Sequence, residues 1–578
     1  MSASEEIIKI FEKYTIAGDH SHSDYITLIK ELVKKISNGE DRWQVALEEA
    51  YDLLLFEITD NRNKPVEKVK FGTSGWRGKL GKDIFSQSVC FVTAGIIELF
   101  EAVDSELDLI QYLGVGSLEE AKSKGCVIGF DNRFGGELLG ARVAAVLSRA
   151  GFQIYYAGES TTGVLSAAVL ELKAAFSINL TPSHNPLEYG GYKFNAADGG
   201  PAASELTERI TENSNRIIER GTSKYVVDAD HQKDIENIEN IVKIDSLSKW
   251  RSRVEKNKEI HGLNLQASIA NFLARDDMVV VVDCVHGASR LHISELFNNT
   301  AKDGFIVLRG DKDVTFGGVA PEPSTENLQE VVATLQSREE PFKLGAIVDP
   351  DGDRIRFTDG ETEIGMNQFG AMAFHFLHEY KKKRGMVAKT VATSNLANAI
   401  AAALGEDIFE PSVGFKNFKP VIGKALVYFE ESDGISIIGH TPEKDAYIGL
   451  LLALEMIIET GKNLGEYLKE IEDEFGAYYP DRDGVTVSVA GDELLLLLDR
   501  LEKYKVGSTV VVGDSVKKIV DVITIDGRKM IFDDGAWLMI RPSGTEPKVR
   551  FYVESRTETG TSDLVGAAKK MLVETGLL

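Results

Sequence analysis

Leu344 to Val348 is an unbroken apolar run, and it ends directly on Asp349-Pro350-Asp351-Gly352-Asp353-Arg354. A short apolar run of this kind reads as a buried strand, so three carboxylates at alternate positions leave the sheet together in one loop. Such a loop can turn all three onto one hard cation, and ligands that are all oxygen favour Mg2+ over zinc. Ligand loops in α/β sheets lie at the carboxyl ends of strands, which is where this cluster stands.

Two other readings of the cluster differ in chemistry. An EF-hand loop needs Gly at its sixth position and Glu at its twelfth, but counting from Asp349 those places hold Arg354 and Gly360. A phosphotransferase of the haloacid-dehalogenase type would use Asp349 as nucleophile. That family usually has Thr or Val after the Gly, near the start of its catalytic domain, whereas Asp353 stands here in mid-chain.

At 578 residues the chain is too long for one core and suggests roughly three to five domains. Hydrophobic content of 43 % beside 27 % charged residues is that of a soluble globular protein. The net charge of −25 argues against nucleic acid and anionic membranes as partners. Cys90, Cys126 and Cys284 are odd in number and far apart, so neither disulfides nor a thiolate metal site is indicated. Met1 to Glu12 is acidic and carries no signal pattern, and no apolar run reaches the ~18 residues of a spanning helix. The expectation is a cytoplasmic protein.

Residues 1–65 read as amphipathic helices, with Ile26, Leu28, Ile29, Leu32 and Val33 on one face. The functional alternatives for them are an oligomer contact or a brace on the next domain; plain helical packing is the simpler one. From residue 66 strands and helices alternate, with strands at Cys126 to Phe130, Phe152 to Tyr156 and Ala174 to Leu180 and a helix at Ala141 to Ala150. That pattern favours βαβ units and a mainly parallel sheet. The expected division is 1–65, a helical extension; 66–225, 250–368 and 369–477, three mixed α/β domains; and 478–578, a C-terminal α+β domain. Residues 221 to 250 read as a polar connection.

Thr181-Pro182-Ser183-His184-Asn185-Pro186 follows the strand at Ala174 to Leu180. Two prolines flanking a Ser fix the loop, and a rigid hydroxyl at a strand end can accept a phosphoryl group. Phe71 to Gly78 sets a lone Arg77 among three glycines, and a guanidinium suits a phosphate because its planar fork donates in pairs. Glu430 and Ser432 alternate after the strand at Ala425 to Phe429, so both can face one ligand. Arg541-Pro542-Ser543-Gly544-Thr545-Glu546-Pro547, with Lys548 and Arg550, offers a guanidinium, hydroxyls and a tight turn to an anion.

Taken together these motifs resemble the α-D-phosphohexomutase superfamily of phosphoglucomutases and phosphomannomutases, in family order, with residues 1–65 outside the match. The resemblance implies Ser183 as phosphoryl carrier beside Arg77, and Mg2+ on Asp349, Asp351 and Asp353 with Ser183 completing the shell. It implies Lys193 as general acid/base with His184 as the rival, and substrate contacts from Arg354, Lys416, Glu430, Ser432, Arg541, Ser543, Gly544, Thr545 and Arg550. A Lys serves as base only if burial or nearby cations depress its pKa. The loop continuing as Asp433-Gly434-Ile435-Ser436, with Gly439 to Asp445, looks more like the phosphoglucomutase-type relatives.

What the resemblance implies is a phosphohexomutase that interconverts glucose 1-phosphate and glucose 6-phosphate through glucose 1,6-bisphosphate, as a monomer or homodimer acting on hexose phosphates. The last domain would act as a lid hinged near 475 to 485. Mannose, glucosamine or pentose phosphates are the alternatives within the family. Outside it stand a haloacid-dehalogenase-like phosphatase and a non-catalytic sugar-phosphate-binding protein.

Overall fold

In the computed structural model, which describes residues 3–72, 75–227, 235–489, 491–543 and 548–578, four sheets follow a helical segment. The segment is α1 (Ala3–Tyr14), α2 (Tyr25–Ser37) and α3 (Gln44–Asp60). Asp24 caps α2 by accepting from the Thr27 amide, and Tyr25, Leu28, Ile29 and Leu32 form its buried stripe at helical spacing. These residues share one core with Val89, Ile96 and Phe100 of the first α/β domain, so the segment is part of that domain's packing.

The first sheet contains β1 (Phe71–Gly72), β2 (Gly75–Lys79), β3 (Cys126–Phe130), β4 (Ile154–Glu159), β5 (Phe176–Leu180), β6 (Tyr189–Ala196) and β7 (Ile241–Lys243). Its order is β1-β2-β6-β5-β3-β4-β7. The expectation of a mainly parallel sheet needs correcting. Strands β5, β3, β4 and β7 run parallel, but β6, β2 and β1 are antiparallel additions. Alternating strand and helix patterns report the crossover units and are silent about the hairpin that extends them. Part of the connection expected at 221 to 250 is β7, paired with β4; residues 228–234 lie outside the described residues.

The second sheet is β8 (Met278–Asp283), β9 (Phe305–Leu308), β10 (Phe342–Val348), β11 (Ile355–Thr358) and β12 (Glu363–Ile364), in the order β12-β11-β10-β8-β9. The third is β13 (Val387–Lys389), β14 (Ile408–Phe409), β15 (Val427–Glu430) and β16 (Gly434–Ile437), in the order β14-β13-β15-β16. One device recurs in all three sheets. A strand with a parallel neighbour, β5, β10 or β15, runs into a loop and returns as an antiparallel strand, β6, β11 or β16. The loops are 181–188, 349–354 and 431–433, and they carry the sequence motifs.

The second and third sheets share a core in which Val280, Leu344 and Phe357 pack with Phe369, Phe429 and Leu450. The last sheet is wholly antiparallel: β17 (Tyr479–Thr486), β18 (Thr509–Val512), β19 (Ser515–Ile523), β20 (Arg528–Phe532), β21 (Trp537–Pro542) and β22 (Lys548–Ser555), covered by the helix Glu558–Thr575. Most of the segment expected as a hinge is β17, hydrogen-bonded to β22, which leaves Gly476 to Tyr478 as the turn between domains.

The last domain docks on the third through Val391 and Ala392, which pack with Trp537, Met539 and Tyr552. Lys529 is buried in this seam, its Nζ donating to the Val391 carbonyl at 2.7 Å and lying 4.0 Å from the Trp537 ring centre. Glu554 accepts from the Asn395 amide at 3.0 Å and from Trp537 Nε1 at 2.8 Å. Burial and the neighbouring Lys389 push Lys529 down to about 7, against the pull of Glu410 and Glu554. Unfolding returns it to an ordinary lysine, so between about 7 and that value the unfolded chain holds a proton that the native one does not. Stability therefore rises with pH across that window, by up to ~1.4 kcal/mol per pH unit. In urea unfolding at pH 7 and pH 9, Lys529→Met is expected to remove this rise; a variant keeping the wild-type slope sinks the assignment.

Candidate active site

The Ser183 loop of domain I meets the acidic loop of domain II, which is tied in turn to the loop of domain III. Thr181 and Ser183 follow β5, whose residues are all buried, and Ser183 sits in the left-handed region at φ 59°. A non-glycine residue seldom adopts that conformation without support. Here Thr181 Oγ1 accepts from the Ser183 amide at 2.8 Å, and Arg133 Nη2 donates to the Ser183 carbonyl at 2.7 Å. The hydroxyl is thereby aimed out of domain I, donating to Asp349 Oδ2 at 3.0 Å, with His184 Nδ1 at 3.3 Å.

The acidic loop is held from both sides. Asp349 Oδ1 accepts from the amides of Asp353 and Arg354 at 3.0 Å each. Thr162 of domain I donates its amide to the Asp351 carbonyl and its hydroxyl to Asp351 Oδ2, both at 2.7 Å, while the Ala446 amide donates to the Gly352 carbonyl at 3.0 Å. Gly352 lies at φ 63°, and a Cβ there would stand 2.6 Å from the Thr161 methyl. Any larger residue would push the loop off its domain I support.

Asp349, Asp351 and Asp353 are buried, with one oxygen from each within 4.8 Å of the others. Asp351 Oδ1 and Asp353 Oδ1 have no hydrogen-bond partner among the described residues. Burying carboxylate oxygens without a partner is costly, so this donor set fits a hard divalent cation. Burial and repulsion from its two neighbours hold Asp349 well above the carboxylate range. Burial works the same way on Asp353, but Lys193, Lys444 and Arg354 outweigh it and hold that group well below.

Lys193 Nζ, on β6, donates to Asp351 Oδ2 at 2.6 Å and to Asp353 Oδ2 at 2.8 Å. Burial disfavours its charge, yet the two carboxylates win and its pKa is raised, so Lys193 stands as an ammonium. The depressed pKa that a base requires is therefore not met beside these carboxylates. Burial, then Arg354 and Arg77, hold the His184 imidazole well below its usual value, which keeps it neutral and weakens it as a base. Arg77 lies on β2 opposite Gly191 of β6. Burial opposes the Arg354 charge, but Asp353, Asp349 and Glu430 outweigh it and raise its pKa.

The third loop is tied to the second. Arg356 on β11 grips Asp433 with Nη2 at 2.7 Å and Nε at 3.3 Å, and the Ile355 amide donates to the Asp433 carbonyl at 2.9 Å. Glu430 ends β15 buried, accepting from Lys444 Nζ at 3.2 Å, and Ser432 is half-buried beside it. Two expected residues stand apart. Lys416 Nζ donates to Ser204 Oγ of domain I at 2.8 Å. Arg541 pairs through Nε with Asp526 at 2.9 Å, and Asp526 also accepts from the Val413 amide at 2.9 Å. Arg550 is the register partner of Arg541, and the Ser543 amide donates to the Lys548 carbonyl at 2.8 Å. Gly544 and Thr545 lie outside the described residues, as do Thr73 and Ser74 beside Arg77.

Sequence reasoning missed Thr162 and Arg133, and it gave Glu443 and Lys444, within the Gly439 to Asp445 segment, no individual role. Lys444 Nζ stands 3.5 Å from Asp353 Oδ2 and so bridges the acidic loop to Glu430. Burial pushes Glu443 up to about 7 against the pull of Lys193 and Lys444, and it accepts from Asn195 Nδ2 at 3.1 Å. Arg133 donates to the carbonyls of Ser183, Asn185 and Pro186. Its only sequence signal was a place shortly beyond the end of β3.

Comparison with known proteins identifies the family. The models of phosphoglucomutase/phosphomannomutase α/β/α domains I, II and III match residues 68–221, 261–362 and 366–475, and that of the C-terminal domain matches 497–568. A probable phosphoglucosamine mutase of Methanosphaera stadtmanae is 28 % identical over 84 % of this chain and 94 % of its own length. A phosphoglucomutase/phosphomannomutase of Thermococcus kodakarensis is 24 % identical over 87 % and 98 %. Among solved structures, a putative phosphomannomutase from Thermus thermophilus superimposes with a TM-score of 0.68 at 25 % identity, covering 88 % of this chain and 99 % of that one.

Proposed function

Because the chain belongs to the phosphoglucomutase/phosphomannomutase family, we propose that it interconverts glucose 1-phosphate and glucose 6-phosphate, with Ser183 as phosphoryl carrier and glucose 1,6-bisphosphate as intermediate. The observation that carries the reading is Ser183 Oγ, 3.0 Å from Asp349 Oδ2, where the loops of the first two α/β domains meet.

In the forward direction the P–Oγ bond of phosphorylated Ser183 breaks as a P–O bond to the C6 hydroxyl of glucose 1-phosphate forms. The proton leaves the C6 hydroxyl and Ser183 Oγ regains one. Asp349, Asp351 and Asp353 would hold a divalent cation, which would supply charge neutralisation for the transferring group and, by engaging the same carboxylates, would reduce the negative charge beside Lys193. Lys193 Nζ then moves the proton between the sugar hydroxyl and Ser183 Oγ. Glu430 and Ser432 hold sugar hydroxyls, and Arg541, Ser543 and Arg550 hold the phosphate that is not reacting. The bisphosphate turns round, its other phosphate meets Ser183, and the reverse transfer releases glucose 6-phosphate and restores the phosphoenzyme.

The sugar assignment is supported by the loop continuing as Asp433-Gly434-Ile435-Ser436, which looks more like the phosphoglucomutase-type relatives. A site that pairs particular hydroxyls penalises sugars that leave its polar groups unpaired. The test is turnover of the 1-phosphates of glucose, mannose and glucosamine with Mg2+ and a trace of glucose 1,6-bisphosphate. Glucose 1-phosphate is expected to be fastest. A preference for glucosamine phosphate, which the name of the Methanosphaera relative favours, would overturn the sugar and leave the carrier standing. Glu430→Gln is expected to lower kcat/KM by ~10- to 100-fold, the loss of one hydrogen bond to a charged group. An unchanged value would remove Glu430 from the sugar site.

A further inference from the structure

Residues 1–65 lie outside the stretch that the family models match, yet their helices touch the Ser183 loop and the seam between domains I and II. We propose that this helical segment positions the catalytic loop, acting on Ser183 through Tyr51 and Lys30. The inference rests on the reading of Ser183 as carrier.

Tyr51 on α3 stacks on Phe134, ring centres 5.3 Å apart and planes 20° from parallel. Phe134 adjoins Arg133, the residue that grips the loop at the carbonyls of Ser183, Asn185 and Pro186. Next to it Ile58 of α3 closes over Gly135. The guanidinium of Arg133 lies 4.9 Å from the ring centre of Phe316 in domain II, and α2 lies against residues 316–318. Arg133 is thus wedged between an aromatic ring of domain II and a chain neighbour pinned by the helical segment. The second contact is at the loop's far end. Lys30 Nζ on α2 meets Glu188 Oε2 at 2.6 Å, and the Glu188 carbonyl accepts from the Leu80 amide at 2.8 Å.

The helical segment is also anchored at the connection between α1 and α2 and on α3, independently of these two contacts. Lys82 of domain I donates to the His20 and Ser23 carbonyls at 2.7 and 2.9 Å and pairs with Glu57. Losing Tyr51 or Lys30 therefore leaves the helices docked while releasing the loop. Ser183 holds an unusual backbone conformation, so a loop freed to relax moves its hydroxyl away from Asp349, and small displacements of a reacting group are costly in rate.

The experiment compares wild type with Tyr51→Ala, Tyr51→Phe, Lys30→Glu and the charge swap Lys30→Glu/Glu188→Lys. Amide hydrogen exchange across 181–189 is read together with kcat and KM for glucose 1-phosphate. Tyr51→Ala is expected to speed exchange of that loop about tenfold and lower kcat about tenfold with KM within twofold. Tyr51→Phe, which keeps the stacked ring, and the swap, which restores the ion pair, are expected to recover both. A fall in melting temperature with loop exchange and kcat unchanged would overturn the proposal, since that is what plain helical packing predicts. Should Ser183→Ala prove active, the carrier reading fails separately, and loop exchange still decides whether the helices position this segment.

Discussion

Ser183→Ala is expected to lower mutase turnover by roughly 10³-fold or more, and added glucose 1,6-bisphosphate is expected not to restore it. The reasoning is geometric. Ser183 Oγ is the atom that the loop's support, from Thr181 and Arg133, delivers to Asp349 Oδ2 at 3.0 Å. The substitution deletes that oxygen and leaves the rest of the site in place. Ala at φ 59° bears about the same backbone strain as Ser, so stability should change by less than ~1 kcal/mol, and an inactive variant that melts like wild type would locate the defect in the chemistry. A parallel readout is covalent phosphate: wild type incubated with glucose 1,6-bisphosphate should carry one phosphoryl group per chain and the variant none. Retained turnover in the variant would sink the carrier assignment outright.

What the sequence revealed and what it hid follow from how the site is built. Three of the five motifs are loops that leave a buried strand and come back beside it, so each of these is contiguous and follows an apolar run that marks its strand. This is why Ser183, the three aspartates, Glu430 and Ser432 were legible as chemistry. The residues that hold those loops were not, because they come from elsewhere in the chain. Thr162 reaches Asp351 from 189 positions away, and Arg133 reaches Ser183 from 50. The charge state of Lys193 was hidden for the same reason. Its residue type offers a base, but the two carboxylates brought beside it by the fold make it an ammonium. The antiparallel extension of each sheet also escaped pattern reading, since β6, β11 and β16 have the same alternation or burial whether their neighbour runs with them or against them.

The two sets of residues proposed to hold the substrate stand on different cores. The acidic and sugar loops are fixed to each other by Arg356 and Asp433 and stand on one shared core. Arg541 belongs instead to the antiparallel domain, which meets domain III across the seam containing Lys529 and is joined to it covalently only through the turn at Gly476 to Tyr478. On the proposed cycle, an intermediate that turns round would need the last domain to swing while the frame of domains II and III keeps the sugar.

Lys193→Met provides the second large effect, because the ammonium and a cation claim the same two carboxylates. Lys193 Nζ lies 2.6 Å from Asp351 and 2.8 Å from Asp353. Removing it strands buried negative charge, which costs ~3–5 kcal/mol when no other charge compensates; Lys444, 3.5 Å from Asp353, places the expected loss near the lower end. Turnover is expected to fall ~10²- to 10⁴-fold for want of proton transfer. The discriminating measurement is stability in EDTA against stability in Mg2+. A ligand that binds only the folded chain stabilises it in proportion to its affinity, and with its competitor gone Mg2+ should rescue Lys193→Met by more than it stabilises wild type. Equal gains from Mg2+ in both proteins would mean that Lys193 and the cation do not share Asp351 and Asp353, and the proposed release of Lys193 to move a proton would lose its physical cause.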